Sequence, residues 1–156
     1  MDFCIDGNKI EFVSNGVHLG HVIDDKLDDK SDIISKRNPL CAKVYNVLCY
    51  FSNRDPAVKL KLMIPYCSDF YGCVLWDLNH PFVADLSIAW RKGPRRATEL
   101  PYNTHSVYIA PLCELLPLRI ELACRCVRFI CKCLCSENYV VSAMARHHHH
   151  IRLFVT

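Results

Sequence analysis

Five groups of side chains in this 156-residue chain carry the residue types that chemistry needs. Asp24-Asp25 and Asp28-Asp29 pair carboxylates within one connector. Phosphoryl transfer uses carboxylates that hold two divalent ions about 4 Å apart. These four acids lie in a polar linker after a hairpin pattern, not at the tip of an apolar strand pair, so they read as hydrated side chains and no metal site is expected. Trp90-Arg-Lys-Gly-Pro-Arg-Arg96 is the densest basic element. Arg91 and Arg95 are four apart, as are Lys92 and Arg96, which on a helix places four charges over one sector. Guanidinium groups bind phosphate through two parallel hydrogen bonds, and Trp90 or Tyr102 offers an aromatic face for a base. By composition alone, the blander reading is a core Trp flanked by solvated arginines.

Arg125, Arg128 and Lys132, spaced three and four apart, form a second basic stripe on one helical face. Leu122, Cys126, Phe129, Ile130 and Cys133 fall largely on the other side, so the stripe also fits an ordinary amphipathic surface. Five of the eleven cysteines crowd into Cys124–Cys135. Their spacing scatters them around a helix instead of forming two C-x-x-C knuckles, so they read as small core residues, not zinc ligands. The odd cysteine count argues against a disulfide framework. His147–His150 has the composition of a weak transition-metal binder and reads as low-complexity sequence. No Gly-rich phosphate loop, G-x-S-x-G elbow, H-E-x-x-H pair or Cys-His catalytic pattern occurs.

Residues of these types need a scaffold, and the composition allows one. Hydrophobic residues make up 51% of the chain, enough for a real core, and only five glycines argue against a turn-rich β meander. The net charge of +3 is small, but the charge is polarised. Residues 1–35 hold eight acids against three lysines, and residues 91–132 hold eight bases against three acids. A basic half of this kind points to a polyanionic partner, or simply to a solvated face. No signal peptide and no uninterrupted apolar run of about 20 residues is apparent, so an intracellular protein, nuclear or cytoplasmic and off the membrane, is expected.

Patterning then assigns the elements. Residues 2–23 read as strands, with Lys9–Val13 and Val17–Ile23 paired about a turn at Ser14-Asn-Gly16. Since an isolated hairpin is marginal in water, it is expected to be the edge of a larger sheet. From Ser31, the stripe Ile33, Ile34, Leu40, Cys41, Val44, Val47, Leu48 and Phe51 predicts a helix that Pro39 kinks or divides. Asp55-Pro56 starts a helix to about Trp76, bent at Pro65. His80-Pro81 opens another, ending near Gly93-Pro94. Asn103 or Thr104 caps a short helix to about Leu116, Pro117 starts a long one to about Ser136, and Tyr139–Arg146 forms a last turn or two. The expected fold is mainly α: an N-terminal hairpin (1–25), a bundle of about five helices (26–142) and a tail (143–156).

Several pieces then succeed one another: Phe12-Val-Ser14 with His18-Leu-Gly20, Tyr66-Cys-Ser-Asp-Phe-Tyr-Gly-Cys-Val-Leu-Trp76, Ala89-Trp-Arg-Lys92 with Arg95-Arg96, Leu100-Pro-Tyr-Asn-Thr-His105, Arg128-Phe129, and Ser136-Glu-Asn138. Their order and spacing, over residues 7–142, resemble the segment that follows the catalytic palm in LINE-type (non-LTR) retrotransposon reverse transcriptases. The resemblance implies that the hairpin at Leu19-Gly20 is the last strand pair of a palm, near the primer end. The helices would then be a thumb that grips template–primer. It further implies nucleic-acid contact by Arg91, Lys92, Arg95 and Arg96, while for Arg125, Arg128 and Lys132 the expectation of backbone contact rests on their spacing along one helical face. The family's catalytic Tyr-Ala-Asp-Asp segment and its endonuclease domain have no counterpart here. The chain is therefore expected to be inactive alone and to bind no cofactor, Mg²⁺ belonging only to a full-length parent polymerase. Its expected partners are an RNA–DNA or RNA template–primer and a palm domain or other protein chain. The rival expectation is a domesticated or degenerate helical protein-interaction module with no nucleic-acid role, and a third is a Cys/His metal protein.

Overall fold

The computed structural model describes residues 4–5, 8–9 and 11–147. Four short strands come first: β1 (Cys4–Ile5), β2 (Asn8–Lys9), β3 (Asn15–His18) and β4 (His21–Asp24). β1 pairs with β2 and β3 with β4, each antiparallel. Helices follow: α1 (Lys30–Tyr50), α2 (Pro56–Cys67), α3 (Pro81–Ala97), α4 (Ser106–Leu112), α5 (Leu118–Leu134) and α6 (Tyr139–His147), with a single 3-10 turn at Cys73–Leu75. The described residues thus form a β-hairpin followed by a helical bundle, the fold class expected from patterning. None of their helices is long and apolar enough to cross a membrane.

The hairpin turns at a different place from the one the sequence suggested. Residues 11–13 are not strand, and Ser14-Asn-Gly16 is not the turn. The chain reverses at Leu19-Gly20, where φ is +48° and +79°, and Val17 pairs with Val22. Two successive left-handed residues match the right-handed twist of a two-residue hairpin, and glycine at the second position takes that conformation without strain. Gly16 instead lies within β3.

Proline and glycine punctuate the helices less than expected. Pro39 sits inside an unbroken α1, where Ile33, Leu40, Val44 and Val47 all face the core. The lost backbone bond at Pro39 is outweighed by one continuous buried stripe. α3 runs through Gly93-Pro94 to Ala97, although that dipeptide reads as a stop. Gly93 is a packing notch: a Cβ there would lie 2.7 Å from Met63 Sδ and 3.1 Å from Val44 Cγ2. Helices α1, α2 and α3 meet at that point, and a side chain there would force Met63 or Val44 to shift. Conversely, α2 is shorter than expected. It ends at Cys67, and the residues up to Trp76 form an irregular segment around the 3-10 turn.

The starts of helices follow side-chain chemistry. Asp55 accepts a hydrogen bond from Ala57 N at 2.8 Å, with Pro56 in the first helical turn as the sequence predicts. Imidazoles cap two others. His80 Nδ1 accepts from Phe82 N, and His105 Nδ1 accepts from Val107 N, the latter in place of the expected Asn103 or Thr104. α5 begins one residue after Pro117, and α6 covers Tyr139–His147, so residues 143–147 of the expected tail are helical. The rest of the His147–His150 run lies outside the described residues. The core joins Ile33, Leu40, Met63, Leu86, Trp90, Ile109 and Leu122 across five helices. Each fully buried aliphatic side chain contributes about 1.5–3 kcal/mol.

Candidate functional site

The four bases of α3 line one groove. Arg91, Lys92, Arg95 and Arg96 share a cavity of about 610 Å³ with Glu99, Tyr102 and Ser106. α3 supplies the bases because Val83, Leu86, Ala89, Trp90, Gly93, Pro94 and Ala97 bury its opposite face. Trp90 is a core anchor, not a stacking platform. It is buried, and its indole N–H donates to Ser68 Oγ at 3.0 Å. The aromatic ring available in the groove is Tyr102, 92% exposed.

Arg95 is fixed on one side. Its Nη2 donates to Thr104 O at 2.8 Å, and its guanidinium lies 5.7 Å from the centre of the Tyr102 ring. Its Nε is buried without a hydrogen-bond partner. Arg91 is half-buried, and Lys92 and Arg96 are exposed. Glu99, in the left-handed region at φ +56°, places one carboxylate on the rim. The buried Lys59 reaches it at 3.5 Å, which partly offsets its charge. The groove therefore presents a net positive concavity beside an exposed phenol, a combination suited to a phosphate backbone with a base or sugar against the ring.

The second basic stripe divides. Arg125 faces inward, where Nη1 donates to Ser68 O at 2.8 Å and Nε to Glu121 at 3.1 Å. Arg128 and Lys132 are exposed on α5, but none of the three lines the α3 groove. Spacing correctly placed all three on one helix, but it carries no information about which of them the neighbouring 3-10 segment would claim. Leu19 and Gly20 lie at the hairpin tip, away from the basic groove. Leu19 is exposed on a different cavity, and Gly20 O accepts from Lys36 Nζ at 2.6 Å.

The acidic connector is used locally. Asp24 Oδ1 accepts from Lys26 N and Asp28 N at 3.1 and 2.8 Å, Asp28 from Lys30 N at 3.0 Å, and Asp29 from Asp77 N at 2.7 Å. The Lys30 N–H, with His80 beside it, holds the Asp28 carboxyl below its ordinary pKa. Burial raises that of Asp29, against the opposing Asp77 N–H. Among the described residues, no three His, Cys, Asp or Glu side chains are disposed to hold a metal ion.

A buried polar cluster escaped the sequence reading. Asp32 is 2% exposed and accepts from Val22 N at 3.0 Å and from Trp76 Nε1 at 2.8 Å. His21 Nδ1 is 3.0 Å from the same carboxylate. The His21 ring packs so closely on Gly72 that a Cβ there would sit inside it. Strand β4, α1 and the 3-10 segment are thereby joined at one acid. The only trace in the sequence is an acid at the start of an apolar stripe, which normally marks a helix N-terminus. The motif pieces behind the resemblance touch one another through such bonds: Ser68 with Trp90, Arg95 with Thr104.

No family model, curated protein or solved structure matches the chain. The functional reading therefore rests on the residues and their geometry.

Proposed function

We propose that the chain is a thumb-like fragment of a retrotransposon-type RNA-directed DNA polymerase that contacts template–primer nucleic acid through the α3 groove and does not polymerise on its own. The observation that carries this reading is the convergence of Arg91, Lys92, Arg95 and Arg96 on one cavity with the exposed Tyr102. Four bases against one rim acid favour a polyanion. A groove lined by charge and one ring carries no hydrogen-bond code for a base edge, so binding is sequence-independent. The order of the motif pieces supports the family assignment. On this reading the polymerising step belongs to the catalytic Tyr-Ala-Asp-Asp segment of such polymerases, a motif this sequence does not contain.

The test is fluorescence anisotropy with a short labelled RNA–DNA hybrid at low and moderate salt, beside a variant with Arg91, Lys92, Arg95 and Arg96 all changed to alanine. Salt-sensitive binding that the variant loses supports the reading. No binding by the folded wild-type chain at low salt overturns it.

A further inference from the structure

A second concavity, of about 640 Å³, lies at the other end of the charge gradient, between the hairpin, the acidic connector, the 3-10 segment and α5. Its walls carry Leu19, Ile23, Leu27, Tyr71, Leu75 and Phe129, large apolar side chains that range in exposure from 43% at Phe129 to 82% at Leu27. Scattered exposed apolar residues need no explanation, but six that converge from four segments on one groove do. The floor is preformed: His21 is held by the buried Asp32–Trp76 cluster and packs on Gly72, so this part of the protein pays little ordering cost when a ligand enters.

Acids outnumber bases in the lining of this groove. Asp24, Asp28, Asp29 and the buried Asp32 line it with His18 and His21, none of its lining residues is Lys or Arg, and the cations behind it are His80, 2.9 Å from Asp28, and Lys36, 4.0 Å from Asp32. The carboxylates already hold backbone N–H groups, which fixes their positions while leaving oxygen lone pairs to accept more. Acids at the rim repel nucleic-acid phosphates and anionic membrane surfaces alike. They favour a ligand that brings its own cations.

We infer that this groove docks a segment of a partner protein in which apolar residues alternate with lysine or arginine, the apolar side chains filling the space between Leu27, Leu75 and Phe129 and the cations meeting Asp24, Asp28 and Asp29. The site is independent of the nucleic-acid groove on α3, since the two cavities share no residue.

The probe is a labelled synthetic peptide of alternating leucine and lysine, titrated into the full chain by fluorescence anisotropy beside leucine–glutamate and serine–lysine peptides of equal length. The leucine–lysine peptide is expected to bind at least about tenfold more tightly than either control, and more weakly as salt rises. A Leu27→Ser/Leu75→Ser double variant, changed only at exposed positions, is expected to lose about tenfold in affinity with an unaltered circular dichroism spectrum. Phe129→Ser serves as a second, separate probe of the same wall. The variant with four alanines on α3 should bind the peptide like wild type, so failure of the nucleic-acid reading leaves this test intact. Equal binding of the leucine–glutamate peptide, absence of binding, or full affinity in both serine variants overturns the inference. So does sedimentation showing a dimer that Leu27→Ser/Leu75→Ser dissolves, because the occupant is then a second copy of this chain.

Discussion

Asp32 sits almost wholly out of water yet has Val22 N, Trp76 Nε1 and His21 Nδ1 around its carboxylate, with Lys36 Nζ at 4.0 Å. An acid so placed is held by its donors, and removing it leaves the Val22 amide, the Trp76 indole N–H and His21 Nδ1 without that partner, while Lys36 keeps its bond to Gly20 O. Asp32→Ala is expected to destabilise the fold by about 3–5 kcal/mol in urea denaturation, with loss of hydrogen-exchange protection at the Val22 amide. If both values stay at wild type, the cluster does not anchor the hairpin. Cys67 offers a pH-dependent counterpart. Burial pushes its thiol up to about 11 from an ordinary value of 9.0. The folded state keeps the proton while the unfolded chain gives it up, so the thiol's contribution is whole below pH 9 and fades as pH rises towards 11. A Cys67→Ala variant should show a shallower loss of stability over that window than wild type. A slope unchanged by the substitution would mean that other groups account for the loss.

Helix α3 shows how packing overrides local signals. Gly93-Pro94 carries the composition of a helix end, yet the helix continues because Gly93 lets Met63 and Val44 approach. Gly93→Ala would raise intrinsic helix propensity but overpack this crossing. A net loss of about 1–3 kcal/mol is expected by denaturation, and a gain in stability would refute the notch. Helix α5 shows the same effect with charge. Arg125 ties the helix to Ser68 and Glu121, whereas Arg128 and Lys132 face solvent. Arg125→Ala should therefore lower the melting temperature, and an Arg128→Ala/Lys132→Ala pair should leave it within about 1–2 °C of wild type. The reverse ranking would place Arg125 on the surface.

The bundle as a whole separates two fields. A net positive groove lies along α3 and α4, and a carboxylate-lined apolar groove lies by the hairpin, with no residue in common. Binding to a nucleic-acid backbone releases counterions, so the logarithm of affinity should fall linearly with the logarithm of salt concentration, with a slope of roughly −3 to −4 if all four α3 bases contact phosphates. Successive single alanine changes within the α3 set should each reduce that slope by about one. An affinity indifferent to salt would mean that contacts other than phosphate pairing hold the ligand.

Much of this was legible along the chain, because it depends on near neighbours. The helical periods from Ser31 onward, the Asp55-Pro56 and His80-Pro81 starts and the i, i+4 spacing of Arg91 with Arg95 and Lys92 with Arg96 are all local properties. They located most of the helices and the four bases that share the α3 groove. What the sequence could not supply are choices made between distant segments. The hairpin turns at Leu19-Gly20 because β4 must present His21 and Val22 to Asp32. Gly93 is a helix interior because Met63 and Val44 need its space. Arg125 leaves its stripe because Ser68 O lies within its reach. Each of these depends on a partner tens of residues away or on a register that only the assembled core imposes, so it follows from tertiary contact and not from the order of residues.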